Sequence, residues 1–387
     1  MKLLKKGIIT FLCLSLIFLN TKVVKADTLL PNAKSGLLME VSTGTIIYEK
    51  NIHEKVSVAS MTKMMGMILV MEALEDGNIR LDEKIKASKN ASNMGGSQIW
   101  LEEGEEITVL DLIKGIMMAS ANDGIVAMAE RIGGTEADFV KMMNEKAKEL
   151  GLKNTNFVNP TGLDEENHYS TAYDMAIIAK ELISHEEIFN YTSIYEDYLR
   201  KGTDRQFWLV NTNKLIKTYP GADGLKTGMT DNAGYCMAVT AKRNNMRLLA
   251  IVLGEKEGKV RNKETAELLD YGFNLYEVTT IKQKGEELGT ISLDKANLEK
   301  VKIIANQDVT VLKKQSEKKK EYKSNVVLNT LKLPIYKGDV IGKLIVKDDL
   351  GNMIEEVKIT VSEDLKKDNY FNIFMKILKG MITGDLF

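Results

Sequence analysis

Histidine is scarce in this chain: His53, His168 and His185 are the three present in 387 residues. There is no His-x-x-x-His helix and no cysteine cluster, so zinc catalysis has almost no ligands to draw on, and no cofactor motif takes its place. Cysteine is scarcer still. Of the two, Cys13 falls in an apolar N-terminal stretch, which leaves Cys236 without an intrachain partner and reads it as a small buried hydrophobe. An excess of one charge is also lacking. The formal net charge of −1 offers no electrostatic footprint for nucleic acid. The apolar stretch Ile8 to Leu19 spans only 12 residues, short of the roughly 20 that a membrane-spanning helix needs.

What is present starts with that stretch. Lys2, Lys5 and Lys6 precede it, and Val24-Lys25-Ala26 offers small residues at the positions a signal peptidase reads. Residues 1–26 therefore read as a secretory signal, and the expected destination is the far side of the cytoplasmic membrane. Its removal leaves 48 basic against 54 acidic residues, a net of −6. A hydrophobic content of 44% argues against intrinsic disorder, and the length suits two domains, one large enough for a proper site.

Leu37 to Val41 and Thr45 to Tyr48 are β-prone runs joined by Ser42-Thr43-Gly44, a hairpin pattern. From Ser60 to about Leu74, apolar Met64, Met67, Ile68, Met71 and Leu74 recur at helical spacing, and Gly77 closes the segment. Thr108 with Asp111 opens a helix ending near Ala119, and Thr135 with Asp138 opens another that stops at Gly151. Strands return after residue 220, with a second hairpin from Tyr235–Ala241 and Leu248–Leu253 across Asn244-Asn245. Strands at both ends with helices between them predict an α/β domain, an antiparallel sheet covered by a helical cluster, over residues 27–277. A small all-β domain is expected over 278–363. In the last segment, 364–387, Tyr370, Phe371, Phe374, Ile377, Leu378, Met381 and Ile382 share a helical face flanked by Lys366, Lys367, Lys376 and Lys379. This predicts an amphipathic helix lying on the outer membrane surface, which makes the protein peripheral there.

The chemistry has to come from a nucleophile that does without histidine. Ser60-Met61-Thr62-Lys63 puts a hydroxyl and an amine on one helical face, and a buried lysine can lose its proton and act as a base. At a first helical turn the Ser60 hydroxyl also lies beside free backbone N–H groups, which favour an oxyanion. Ser120-Ala121-Asn122 falls between two predicted helices, free to face a cleft. Lys226-Thr227-Gly228 opens the second strand-rich part, where glycine admits a substrate backbone, threonine adds a hydroxyl and lysine adds positive charge. Each triplet alone is weak: Ser316-Glu317-Lys318-Lys319 repeats the first in a charged surface run, Ser88-Lys89-Asn90 repeats the second by chance, and Ser120 or Asn122 could simply cap a helix. The ordered set of three is far more specific.

With those motifs, and with Gly95-Gly96-Ser97, His168-Tyr169-Ser170-Thr171-Ala172-Tyr173-Asp174-Met175 and Asn232-Ala233-Gly234-Tyr235, the large domain resembles the low-molecular-mass penicillin-binding proteins that act as D-alanyl-D-alanine carboxypeptidases. Pro334-Ile335-Tyr336-Lys337-Gly338-Asp339 resembles a segment of that family's C-terminal β-domain. The resemblance implies that the enzyme trims the terminal D-alanine from peptidoglycan stem pentapeptides and is acylated by β-lactams. Ser60 would be the nucleophile, Lys63 the base and Ser120 the proton relay. Asn122 would hold a substrate amide, Lys226 would contribute positive potential, and Thr227 and Arg261 would bind the terminal carboxylate beside Gly228. The backbone N–H groups of Ser60 and Met229 would form the oxyanion hole. His168 would be structural. A β-lactamase using Glu165 or Glu166 to hydrolyse the acyl-enzyme, and a non-catalytic penicillin-sensing module, are the rival readings.

Overall fold

Strand-forming runs far apart in sequence close into one sheet that carries the rest of the first domain. The computed structural model describes residues 29–383 except 294, 318 and 319. The expected signal, Cys13, Lys318 and Lys319 lie outside the described residues, as do the side chains of Lys376, Ile377, Lys379, Met381 and Ile382.

Strands β1 (Ser35–Glu40), β2 (Ile46–Lys50), β3 (Ala222–Thr230), β4 (Gly234–Arg243) and β5 (Met246–Glu255) form an antiparallel sheet in the order β2-β1-β5-β4-β3. Asn244, at φ 53°, supplies the left-handed residue that turns β4 into β5. The sheet is covered on both faces, so β5 reads as a nearly continuous apolar run instead of an alternating one. On one face lies the helix Gly258–Leu275, whose Leu268 and Leu269 pack with Leu38, Leu248 and Val252. Gly272 lets it approach: a Cβ there would stand 2.6 Å from Leu248 and 2.8 Å from Leu38.

The other face carries the helical cluster: α1 (Lys63–Glu75), α2 (Val109–Met118), α3 (Asn122–Gly133), α4 (Glu136–Glu149) and α5 (Ala172–Ser184). The helix Gly258–Leu275 is α6. Thr108 and Thr135 cap α2 and α4 as the sequence suggests, accepting from the amides of Asp111 (3.1 Å) and Asp138 (3.0 Å). The periodic stripe expected on α1 is only part of its buried surface. Met65, Leu69 and Val70 are covered as well, so α1 is the central helix of the cluster, apolar nearly all round. It also starts later than the periodicity suggests, because Ala59–Thr62 forms a 3₁₀ turn before it.

The strand β6 (Tyr276–Lys282) begins at the residue after α6 and pairs with β9 (Val309–Lys314). A five-stranded sheet follows from β7 (Glu287–Ile291), β8 (Val301–Ala305), β10 (Lys323–Leu328), β11 (Gly342–Lys347) and β12 (Met353–Val361), in the order β7-β8-β12-β11-β10. Its core of Ile303, Val309, Leu344, Val357 and Ile359 is separate from that of the first domain. The Ser42 and Thr310 hydroxyls, 2.8 Å apart, connect the two domains. Helix α7 (Tyr370–Thr383) leaves Tyr370, Phe371 and Phe374 exposed, and among the described residues no helix is long and apolar enough to cross a membrane.

Where β5 meets α6, the Glu255 carboxyl is buried against Glu264, and among the described residues no N–H or O–H donates to either of its oxygens. Burial and the adjacent Glu264 carboxylate, itself held by Asn32 at 2.5 Å, push Glu255 up to about 8. Folded protein thus keeps a proton that the unfolded chain releases near pH 4, and the stability contributed by this carboxyl falls as pH rises from about 4 towards 8. Glu255→Gln should therefore match the parent in urea unfolding at pH 5 and exceed it at pH 8, by on the order of 1 kcal/mol after solvent screening. Parallel pH dependences would show that the proton lies elsewhere.

Candidate active site

The three sequence triplets meet in one cleft between the sheet edge and the helical cluster. The 3₁₀ turn presents Ser60, and one helical turn later Lys63 is wholly buried, with Nζ 3.0 Å from Ser60 Oγ. The same Nζ lies 2.6 Å from Asn122 Oδ1 and 2.6 Å from the Thr161 carbonyl oxygen. Neither of those oxygens carries a hydrogen, so each must receive an N–H. A neutral amine then has its lone pair left for the third neighbour, the Ser60 hydroxyl. The cage therefore aims the lone pair at Ser60. Burial holds the Lys63 ammonium well below its usual range, and the Lys226 charge lowers it further, against an opposing pull from Asp123.

Asn122 has its orientation set from both ends. Its Nδ2 donates to the Gly95 carbonyl at 2.7 Å and its backbone N–H to Ser97 at 2.7 Å. Both ends of the carboxamide are therefore engaged, Oδ1 by Lys63 and Nδ2 by Gly95. Next to it the Asp123 carboxylate accepts from the amides of Ile99 (3.1 Å) and Leu101 (3.0 Å), which fixes the loop 95–101 over the cleft. Ser120 lies between α2 and α3 at φ 64°, a left-handed conformation that serine seldom adopts. It is buried, yet Oγ has no hydrogen-bond partner among the described residues. Holding an unsatisfied hydroxyl in strained backbone costs stability, and such costs concentrate at functional sites.

Strand β3 supplies the opposite wall. Lys226 is buried, donates to the Thr227 carbonyl at 2.8 Å, and is brought down to about 7 by burial and by Arg261. The Thr227 hydroxyl donates to Thr212 at 2.7 Å. Gly228 has no room for a side chain: an added Cβ would stand 3.0 Å from the Val58 oxygen, 3.0 Å from the Ala59 Cβ and 3.1 Å from the Ser60 nitrogen. That approach brings the backbone of the strand against the amide of Ser60. Met229, with an exposed side chain, is the next residue. Arg261 projects from α6 beneath the strand, where it donates to the Cys236 carbonyl (3.3 Å), opposite Gly228 in the sheet register, and to Asn262 (2.9 Å).

Several contributors carry no motif. The Thr161 carbonyl owes its position to an Asn159 turn, in which Oδ1 accepts from Thr161 N (3.2 Å) and Gly162 N (2.7 Å). Gly162, at φ 80°, lies so close to Ala59 that a Cβ would fall 1.9 Å from its carbonyl oxygen. Asp164 then ties this loop to both neighbours, accepting from Ser57 Oγ (2.9 Å) and Thr230 Oγ1 (2.8 Å). The Asn-Pro-Thr-Gly sequence is a visible turn signal, but nothing in it announces that its carbonyl faces a lysine. His168 braces the same loop. Val158 N–H donates to Nδ1 (3.2 Å), so Nε2 carries the proton to Thr62 Oγ1 (2.8 Å), and burial lowers its pKa to about 4, which keeps it neutral. Cys236 is fully buried, and burial pushes its thiol up to about 11. Glu165 and Glu166 are exposed on the loop.

Replacing Gly228 with alanine should move the strand by a few tenths of an ångström and spoil the alignment of the two amides. We expect kcat/KM to fall by roughly 10- to 100-fold with a melting temperature nearly unchanged. A full-rate Gly228→Ala enzyme would mean that the close approach has no catalytic purpose.

Comparison with known proteins is consistent across the chain. The family described as D-alanyl-D-alanine carboxypeptidase matches residues 21–257, and that described as Penicillin-binding protein 5, C-terminal domain, matches residues 276–367. The D-alanyl-D-alanine carboxypeptidase DacF of Bacillus subtilis is 46% identical over 357 residues, covering 92% of this chain and 91% of that protein. DacA of Escherichia coli (strain K12) is 31% identical, covering 90% and 88%. Penicillin-binding protein 5 from Haemophilus influenzae superposes with a TM-score of 0.70 at 32% identity, covering 87% of this chain and 98% of that one. Penicillin-Binding Protein D2 from Listeria monocytogenes, in its ampicillin-bound form, gives a TM-score of 0.57 at 34% identity, covering 62% and 97%.

Proposed function

From the premise that this chain belongs to the D-alanyl-D-alanine carboxypeptidase family and is a serine-type enzyme of it, we infer that Ser60 and Lys63 cleave the terminal D-alanine from peptidoglycan stem pentapeptides. The observation that carries the assignment is the Lys63 cage, which among the described residues leaves the amine lone pair one neighbour able to give it a proton, the Ser60 hydroxyl. Ser60 Oγ attacks the carbonyl of the penultimate D-alanine as its proton passes to Lys63 Nζ. The amides of Ser60 and Met229 receive the oxyanion, and the unpartnered Ser120 hydroxyl relays a proton to the departing D-alanine nitrogen. Lys226 and Arg261 give the cleft its positive potential, and Lys226, Thr227 and Arg261 hold the substrate's terminal carboxylate next to Gly228. Contact of Asn122 with a substrate amide would have to share a carboxamide that Lys63 and Gly95 already use. Water then releases the acyl group.

The β-lactamase reading needs a base set against the acyl-enzyme, and exposed Glu165 and Glu166 do not supply one. The penicillin-sensing module has no use for a buried lysine and an unsatisfied serine hydroxyl. Because the ampicillin-bound Listeria relative shares the fold, penicillin is expected to acylate Ser60. Intact-mass spectrometry should find one adduct, mapped to Ser60, and D-alanine should appear from a pentapeptide. Lys63→Arg, which stays protonated, should slow acylation by 100-fold or more. For kcat/KM, the acid limb reports protonation of Lys63 and the alkaline limb begins where Lys226 loses its charge, at about 7. An adduct at another residue, or a fast Lys63→Arg enzyme, would refute the assignment.

The protein acts, on this reading, outside the cytoplasmic membrane after loss of residues 1–26. Helix α7 rests on the outer membrane surface, supported by its exposed Tyr370, Phe371 and Phe374. A chain ending at Glu363 should keep its activity on short peptides and lose its binding to liposomes. If it still sediments with vesicles, the helix is not the attachment.

A further inference from the structure

Trp100 and Trp208 are the only two tryptophans in the chain, and both are exposed, at 63% and 56%. An indole offers more apolar surface than any other side chain, and folding gains by covering it, so two uncovered rings require a reason. Tyr198 stands directly across from Trp208 in the hairpin Glu196–Leu199/Phe207–Val210. It is 42% exposed, and because Leu199 and Leu209 face inward, Tyr198 and Trp208 share the outward face.

The hairpin is fastened to the loop that carries Trp100. Arg205 donates to the Trp100 carbonyl at 2.8 Å and Arg200 to the Ile99 carbonyl at 3.1 Å. Both guanidinium groups also grip the Glu105 carboxylate, at 2.7 and 2.5 Å. Trp100 at φ 59° and Arg200 at φ 51° are held in left-handed backbone, a cost that persists only where the surroundings enforce it. These segments border the cleft. The Trp100 loop fixes Asn122 and Asp123, and the chain leaving the hairpin reaches Thr212, the partner of Thr227.

We propose that Trp100, Tyr198 and Trp208 form a saccharide-binding platform, on which the amino-sugar backbone that bears the stem peptide stacks while the D-alanyl end occupies the cleft. The proposal rests on the carboxypeptidase reading. Flat aromatic faces suit the C–H surface of pyranose rings, and Arg205 and Glu102, paired at 3.3 Å beside them, offer polar groups for hydroxyls and amides. Continuity with the cleft favours this occupant, since the far end of any stem peptide is its sugar. Charge disfavours an anionic membrane, because the exposed Glu102, Glu103, Glu196 and Asp204 around the rings outnumber the basic Lys201 and Arg205 of the same hairpin.

The two tryptophans are their own reporters. N-acetylglucosamine oligosaccharides titrated into the full-length protein should shift intrinsic fluorescence in a saturable way, with no turnover required. Trp208→Ala should raise KM for a disaccharide-pentapeptide three- to tenfold while changing KM for free pentapeptide less than twofold, and Trp208→Phe should restore most of the loss. A flat titration, an equal effect on both substrates, or a fluorescence response to anionic vesicles in place of oligosaccharide would overturn the platform. Failure of the carboxypeptidase reading would show instead as no D-alanine released from either substrate.

Discussion

The active centre depends on one unfavourable act, the burial of a lysine without a carboxylate bonded to it. An ammonium moved out of water loses its hydration, and Lys63 recovers part of this through two oxygens that take its N–H groups. The protein then has to hold those oxygens in place from distant segments. Asn122 is fixed by Gly95 and Ser97, and Thr161 by the Asn159 turn. The helical cluster, the loop at 159–168 and the strand β3 can be understood as the scaffold for this desolvated amine.

The second requirement is closeness of backbones. On the proposed mechanism an oxyanion needs two amides a few ångströms apart, and the two assigned to it belong to a 3₁₀ turn and to a sheet edge. Gly228 on one side and Gly162 on the other remove the atoms that would keep those segments apart. Asp164 then locks the arrangement with a carboxylate shared between Ser57 and Thr230, and His168 does the same from within as a neutral imidazole. A histidine near a nucleophilic serine invites a catalytic reading. Here one of its nitrogens braces Val158 beside its own loop, and the other ties that loop to Thr62 in the turn that carries Ser60.

The sequence was legible where function resides in side chains and opaque where it resides in the backbone. Ser60, Lys63, Ser120, Asn122 and Lys226 stand out because their spacing and order are rare in combination, and the structure draws them into one cleft. The sheet and its helical cover were legible from alternating and helical periodicities and from threonine caps. The Thr161 carbonyl was not, since any residue has a carbonyl and only the tertiary position of a turn makes one special. The full burial of α1 escaped the periodic reading because a stripe at helical spacing records the best-covered face and is silent about a helix covered on every side. The reach of Asp164 was hidden because its partners lie 107 and 66 residues away.

Cys236 is the only thiol among the described residues, fully covered on the strand paired with the one that holds Gly228, and its high pKa leaves almost no thiolate at neutral pH. Disulfide exchange proceeds through the thiolate and needs access, so the folded enzyme is inert towards oxidised thiols. An unfolded molecule exposes that sulfur and has no second cysteine in this span to close a ring with. In an oxidising medium, covalently linked dimers would accordingly accumulate from unfolded chains alone, and the one cysteine keeps a chemical record of how often the fold has been lost.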